Sequence, residues 1–331
     1  MIKYLYKYMN LRPSFFNEPM LRATPVYALN DPFEGMFNHQ QIKNANKTFD
    51  EYYSKNGIEI NKNENEEEED YQIEQMMGCT QSEIFDLGIV SLTEDHINPL
   101  MWSHYADEHK GVVIEFLKDV PLYEDSLQSL DGKLSRFGKD YLGEIYEYPE
   151  RIIYKRVKPT FEYGNELSPD SVTDFHWKKF NKSILFTKSD DWSYEKEHRS
   201  VVRLKDADRI ICEDDKFIRK ICKNNKDIEL IVLKKNQIQV TYPKEYEMME
   251  DMGDESIKDE IYRLASMGYN STVMHFFRIN PKCISGIYFG CKSNEQKAIK
   301  NLNKNKKLKH IDNINKMDID DDSYSLITKK Y

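Results

Sequence analysis

The chain is 331 residues long, and no stretch of it approaches the roughly 20 consecutive apolar residues that a membrane-spanning helix needs. The opening MIKYLYKYMNLRP alternates instead of presenting a continuous apolar secretory core. A cytoplasmic protein with no membrane partner is the expectation. Paired cysteines are also missing. Cys79, Cys212, Cys222, Cys283 and Cys291 form an odd set without a C-x-x-C pair, which argues against a disulfide framework or a zinc knuckle. No glycine-rich phosphate loop, Rossmann fingerprint or serine elbow occurs. An excess of positive charge is lacking too: the net charge of −9 gives no global footprint for nucleic acid, although a local basic groove is compatible with it.

What the chain has is aromatic mass, with 22 tyrosines and 16 phenylalanines. Aromatic and β-branched enrichment favours sheet over a helical bundle. Ile2, Tyr4, Tyr6 and Tyr8 alternate with Lys3, Leu5 and Lys7, a period of two that predicts a first strand. The run LRATPVYA predicts a second, ending at Asn30-Asp31-Pro32, where Asp can bond its own backbone and Pro fixes φ. LGIVSLTED reads as a strand. Asn98-Pro99 then caps and starts a helix through MWSHYADEH that stops near Gly111. GVVIEF is apolar on both faces and predicts a central, buried strand. RIIYKRV and the alternating WSYEKEHRSVVRL predict further strands. SVTDFHWKKFNKSILF has helical spacing, and CISGIYFGCKSNEQKAIKNL reads as strand, glycine turn and helix.

This pattern gives an α+β class. Residues 1–303 are expected to form a single catalytic domain, interrupted by an acidic, disordered insertion at 44–78 that includes NKNENEEEED. A second insertion is expected at 205–280. The basic and polar residues 304–331 read as a loosely ordered tail.

Two places could carry chemistry. In Tyr194-Glu195-Lys196-Glu197-His198-Arg199, strand periodicity would put Glu195, Glu197 and Arg199 on one face. An edge strand with a charged outer face would look the same. Against that bland alternative stand Trp192 and Tyr194, which suggest enclosure. Two carboxylates beside a guanidinium can hold one ionised while the other is tuned upward. In MWSHYADEHKG, Trp102 reads as core, while His104 and Tyr105 have polar tips on aromatic bodies suited to a ring-stacking wall. A lone histidine on such a face is more often structural. His104, Glu108 and His109 on one helix make a weak metal site, and no metal is expected.

The order LYKY, NDPFEG, SLTEDHINPLMWSHYADEHKGVVIEF, TKSDDWSYEKEHR and ISGIYFG resembles a widespread bacterial family of unknown function. More distantly the chain resembles the ADP-ribosyltransferase fold, whose members include toxins and defence proteins that consume NAD. Tyr6-Lys7-Tyr8, Tyr27 with Asn30-Asp31, and Glu195-x-Glu197 fall in the order of that fold's NAD-contacting strands and catalytic E-x-E. This resemblance implies a split, largely antiparallel mixed sheet with flanking helices and NAD between its halves. It implies Glu197 as the catalytic carboxylate with Glu195 as companion. Lys7, Tyr8, Tyr27, Asn30, Asp31, His104, Tyr105 and Arg199 would contact NAD, with Tyr8 or Tyr105 stacking the ring and Lys7 or Arg199 meeting the pyrophosphate. The implied activity is an ADP-ribosyltransferase or NAD glycohydrolase, as a toxin or phage-defence effector. Its acceptor would be protein, nucleic acid or water, and its partners an antitoxin or other defence components. The alternatives are a metal-independent nuclease using His104 with Glu195 or Glu197, and a non-catalytic nucleotide-sensing module.

Overall fold

Strands form the frame of the molecule, and the central ones are buried on both faces. The structure, a computed structural model, describes residues 2–55, 57, 66–124, 148–159, 180–243 and 257–331. The first strands are β1 (Tyr4–Met9), β2 (Met20–Pro25), β3 (Leu87–Thr93) and β4 (Val112–Leu117). The middle of the chain adds β5 (Glu150–Arg151), β6 (Ile153–Tyr154), β7 (Thr187–Lys188) and β8 (Glu197–Arg203). Then come β9 (Arg209–Glu213), β10 (Glu229–Val232), β11 (Gln237–Thr241) and β12 (Met274–Arg278), followed by β13 (Ile284–Phe289), β14 (Asn313–Ile319) and β15 (Leu326–Lys330). All but β6 and β7 join one large sheet, antiparallel except for the β13–β14 pair. The α+β class is as expected. So is the central position of β4, which lies between β1 and β13.

The sheet forks at β3. One edge of β3 pairs with β8 from Leu87↔Arg203 to Thr93↔Glu197. Its other edge meets two strands at opposite ends: β2 at Thr24↔Ile89 and Pro25↔Gly88, and β1 at Tyr6↔Thr93. Between those contacts β1 and β2 diverge. One limb continues from β1 through β4, β13, β14 and β15, the other from β2 through β12, β9, β11 and β10.

Several segments differ from expectation. Residues 205–280 are no appendage, because their strands form the whole β2-side limb, tied in by β12 against β2. Arg278 donates to Asp208 Oδ1 (2.7 Å) and to the Tyr242 carbonyl (2.8 Å) within it. In the acidic segment, the described residues other than Gly57 belong to helices α1 (His39–Lys55) and α2 (Glu66–Phe85), while residues 56 and 58–65 lie outside the described residues. Ile42, Ile73 and Ile84 are buried against Val26, Leu87 and Phe180, so sparse apolar anchors outweigh the like-charge run. The C-terminal segment is paired into the sheet as β14 and β15, with Met317 and Leu326 buried on its one covered face. Within SVTDFHWKKFNKSILF, residues 180–185 are helical; Val172 and Phe175 lie outside the described residues.

Helix α3 (Pro99–Tyr105) starts as the sequence predicts: Asn98 Oδ1 accepts from the Leu100 N–H at 3.0 Å and Pro99 opens the first turn. It stops earlier than predicted. Asp107, Glu108 and His109 have φ of 48°, 51° and 69°, a left-handed run that costs L-residues on the order of 1–2 kcal/mol each. Two close approaches compel the sharp return. The Gly111 N–H donates to the Ala106 carbonyl at 2.7 Å, and the Gly290 N–H donates to the Gly111 carbonyl at 3.0 Å. A Cβ on Gly111 would lie 2.4 Å from the Met9 carbonyl oxygen, and one on Gly290 would lie 2.0 Å from that of His109. Trp102, fully buried as expected, donates from Nε1 to the His96 carbonyl (2.8 Å) and packs edge-on to Tyr8.

We expect Gly111→Ala to lower stability by about 1–3 kcal/mol, the usual cost of an added methyl in a filled site. Urea unfolding followed by circular dichroism measures it, and an unchanged midpoint would contradict this account of the turn.

Candidate functional site

The fork leaves the middle of β3 without a strand neighbour on one side, and a lysine takes over. Lys7 on β1 donates from Nζ to the Ser91 carbonyl at 2.8 Å. A cavity of about 270 Å³ opens there, between the two limbs. Its walls include Lys7 and Tyr8 from β1, Arg22 from β2, Tyr105 from α3, and the carboxylates Glu195 and Glu197.

Beneath the cavity lies a buried charge cluster assembled from four segments. The turn after β2 delivers Glu34. Asp31 Oδ1 accepts from the Phe33 N–H (2.9 Å), the Glu34 N–H donates to the Asp31 carbonyl (3.2 Å), and Gly35 turns the chain at φ 70°. Strand β7, paired in parallel with β6, delivers Lys188. A 3-10 turn, Asp190–Glu195, begins with the Ser189 side chain accepting from the Asp191 N–H and ends at Glu195. Lys196 is left-handed at φ 46°, and β8 starts at Glu197. Glu195 is therefore not on the strand, contrary to the periodicity argument. The left-handed residue between the two carboxylates turns both inward anyway.

The Lys188 ammonium lies among three carboxylates, 2.8 Å from Glu195 Oε2, 3.2 Å from Glu34 Oε1 and 3.3 Å from Glu197 Oε2. It also lies 4.8 Å from the centre of the Trp192 ring. Arg199 grips Glu197 with Nε (2.8 Å) and Nη2 (3.0 Å), gives Nη1 to the Leu185 carbonyl, and pairs with Glu34. The Tyr105 hydroxyl donates to Glu195 Oε1 at 2.5 Å. The Glu197 N–H donates to the Tyr154 hydroxyl at 2.8 Å. Glu34, Lys188, Glu195, Glu197 and Arg199 are all at most 8% exposed, so each charge depends on its partners for the solvation it has lost.

Glu197 and Glu34 are driven in opposite directions. Burial alone would raise the Glu197 carboxyl, but Arg199 and then Lys188 overrule it and hold the pKa at about 2. Burial prevails at Glu34, which is raised above the ordinary range even with Arg199 and Lys188 beside it. Lys188 is raised as well: burial pulls its ammonium down, but Glu197, Glu34 and Glu195 together prevail. Desolvation lowers Lys7 to about 8, against the pull of Glu197 and with help from Arg12 and Arg22.

Of the residues singled out from the sequence, Lys7, Tyr8, Asn30, Tyr105, Glu195 and Glu197 line this one cavity. Arg199 sits behind them, fully buried and off the cavity wall, with each of its three nitrogens bonded to a protein oxygen, so it is not placed to meet a pyrophosphate. His104 is exposed on α3 and lies off the cavity wall, because one step along a helix turns it about 100° from Tyr105. Tyr27 packs on Phe85 and Tyr269 beside a neighbouring cavity, and Asp31 is spent partly on its own turn. Sequence reasoning missed Glu34, Lys188, Arg22 and Tyr154. The signal for the first two was present, since both sit inside the runs NDPFEG and TKSDD. Among the described residues no group of three or more His, Cys, Asp or Glu side chains is arranged to hold a metal. No helix among them is long and apolar enough to cross a membrane.

Residues 101–200 match the model of a family described as a protein of unknown function, DUF2971. The expected likeness to a family of unknown function thus holds over that span. The span carries Tyr105, Lys188, Glu195, Glu197 and Arg199, whereas Lys7, Arg22 and Glu34 lie outside it. No curated protein and no solved structure matches the chain.

The cluster predicts a definite acid response. A carboxyl depressed in the folded state adds stability above its unfolded pKa and loses it as pH falls through the folded value. For Glu197 that window runs from 4.5 down to about 2. Glu34, raised, has the opposite sign: its contribution is present at low pH and lost as pH rises through its folded pKa. Glu197→Gln should flatten the stability–pH curve between pH 4.5 and 2. Arg199→Met, which strands buried carboxylates, should cost about 3–5 kcal/mol at neutral pH. Denaturant titrations across pH read both, and a Gln variant with the same acid slope as the parent protein would refute the assignment.

Proposed function

We propose that the protein cleaves the nicotinamide–ribose bond of NAD in the fork of its sheet, as an ADP-ribosyltransferase or NAD glycohydrolase. The observation that carries this reading is Glu197: a carboxylate gripped by Arg199 and Lys188 and facing a cavity with tyrosine and cationic walls. Breaking that bond passes through an oxocarbenium-like state, which a fixed anion stabilises without rearrangement. The nicotinamide nitrogen keeps the bond's electron pair and leaves neutral, so no strong general acid is required.

Tyr8 and Tyr105 offer faces for the ring. Lys7 and Arg22, whose Nε has no hydrogen-bond partner among the described residues, meet the pyrophosphate in place of Arg199. Arg199 acts behind the carboxylate by keeping it charged. Glu195, oriented by Tyr105 and Lys188, is its companion. At about 270 Å³ the cavity is near the lower end of the ligand-pocket range, which suits the nicotinamide riboside half of the dinucleotide. A cytoplasmic toxin or phage-defence effector is the setting such an activity implies.

One observation favours a second reading. All three carboxylates already have cationic partners, as they would in a module that senses a nucleotide without turning it over. The nuclease alternative loses support, since His104 is exposed and off the cavity wall that Glu195 and Glu197 share.

Nicotinamide release from NAD, followed chromatographically with protein, nucleic acid or water as acceptor, separates these readings. Glu197→Gln should lower the turnover rate by about 10²–10³, as loss of a transition-state electrostatic contact does. Saturable NAD binding without release would instead establish the sensing module, and equal turnover by the Gln variant would reject Glu197 as the catalytic carboxylate.

A further inference from the structure

The Glu34–Lys188 pair is a wall with two sides. Behind it lies a second cavity of about 280 Å³ that shares only those two residues with the first. Its rim carries the basic run Lys155-Arg156-Val157-Lys158, exposed throughout, and Phe33, which is 67% exposed. The run is held in place by its backbone, the Lys155 N–H donating to the Lys188 carbonyl at 2.9 Å as an extension of the β6–β7 pairing. Its side chains are weakly spent. Arg156 lies 3.4 Å from Asp191 and 3.6 Å from Asp190 across open solvent, and Lys158 Nζ donates to the Met36 carbonyl at 3.1 Å. Asp31, which lines both this cavity and the neighbouring one beside Tyr27, is 3% exposed, and its Oδ2 has no hydrogen-bond partner among the described residues. A buried carboxylate oxygen without a donor costs about 1–3 kcal/mol or more, so the site calls for an N–H or O–H from outside.

We propose that this second cavity binds single-stranded nucleic acid. Three kinds of group meet there that such a ligand needs together. Phe33 offers an open aromatic face on which an unstacked base can lie. Lys155 and Arg156 meet the phosphates flanking that base. Asp31 Oδ2 accepts from the exocyclic amino group of an adenine or cytosine. A duplex does not satisfy the arrangement, because its bases are already stacked on one another and offer Phe33 no face. With a net charge of −9, the chain cannot hold a polyanion by bulk attraction, so binding must come from this local combination. The shared wall would set a bound strand beside the cavity proposed for NAD, but binding itself does not rest on that proposal.

Fluorescence anisotropy of labelled single-stranded RNA and DNA, titrated with the full chain in the absence of NAD, tests this. Saturable binding is expected, weaker for the matching duplexes. Phe33→Ala should weaken it roughly 5- to 100-fold, as loss of one base-stacking platform does. Lys155→Ala combined with Arg156→Ala should reduce the salt slope by about 1–1.5, in line with two lost phosphate contacts. Asp31→Asn should reduce the preference for strands rich in adenine and cytosine over those rich in uracil. Phe33, Lys155 and Arg156 lie at the surface, so their variants keep the fold, which circular dichroism checks. No binding by the parent protein, or binding that Phe33→Ala leaves unchanged and heparin reproduces, would overturn the proposal. Failure of nicotinamide release would not touch it.

Discussion

Everything at the centre of this molecule depends on how two buried cations hold three buried carboxylates together. Glu34, Glu195 and Glu197 come from chain positions more than 160 residues apart at the extremes, and Lys188 and Arg199 are what allow them to meet. Burying one such ion alone costs several kcal/mol, so in the folded state each of the four segments depends on the others for its place. The turn at Asp31–Gly35, the β6–β7 pair, the 3-10 turn and the start of β8 are thereby coupled. The interaction is a condition of assembly more than a net source of stability, since desolvation consumes much of the attraction.

The fork in the sheet poses a second constraint of the same kind. A strand with one fully paired edge and one partly paired edge leaves backbone carbonyls without partners, and a buried carbonyl needs a donor. Lys7 supplies it at Ser91, and desolvation there lowers its pKa to about 8. The cavity and the tuned lysine are thus two consequences of one topological choice. Helix α3 closes the β1 side by resting Trp102 on Tyr8, which leaves Tyr105 over Glu195.

Much of this was legible in the sequence where the physics is local. Alternation located β1, an extended run ending at Asn30-Asp31-Pro32 located β2, an apolar run located β4, and Asn98-Pro99 located the start of α3, because each depends on neighbours a few residues away. Glu195 and Glu197 stood out as a carboxylate pair beside an arginine. Partnership over distance was what failed to show. Glu34 gains its meaning only from Lys188 and from Arg199, 165 residues on, and nothing in NDPFEG says that its glutamate turns inward. The C-terminal segment looked like tail because Asn313–Ile319 buries one face only, so polar residues dominate its composition while Met317 does the packing. Arg199 seemed available for a ligand because its residue type suits phosphate, whereas its buried position consigns it to Glu197 and Glu34.

A satisfied charge network could be taken as purely structural, and stability alone would be served by it. Yet apolar residues of similar volume often do as well or better in such places, so stability alone is a weak reason for charges beside a cavity. The proposed reaction supplies another, preorganisation. In that reaction a carboxylate already ionised and fixed by two cations needs no reorientation when positive charge develops in front of it. The cost of placing it there is met once, in folding, by Arg199 and Lys188. Glu197 is then an anion whose position is set by the protein and whose effect is felt by whatever occupies the fork.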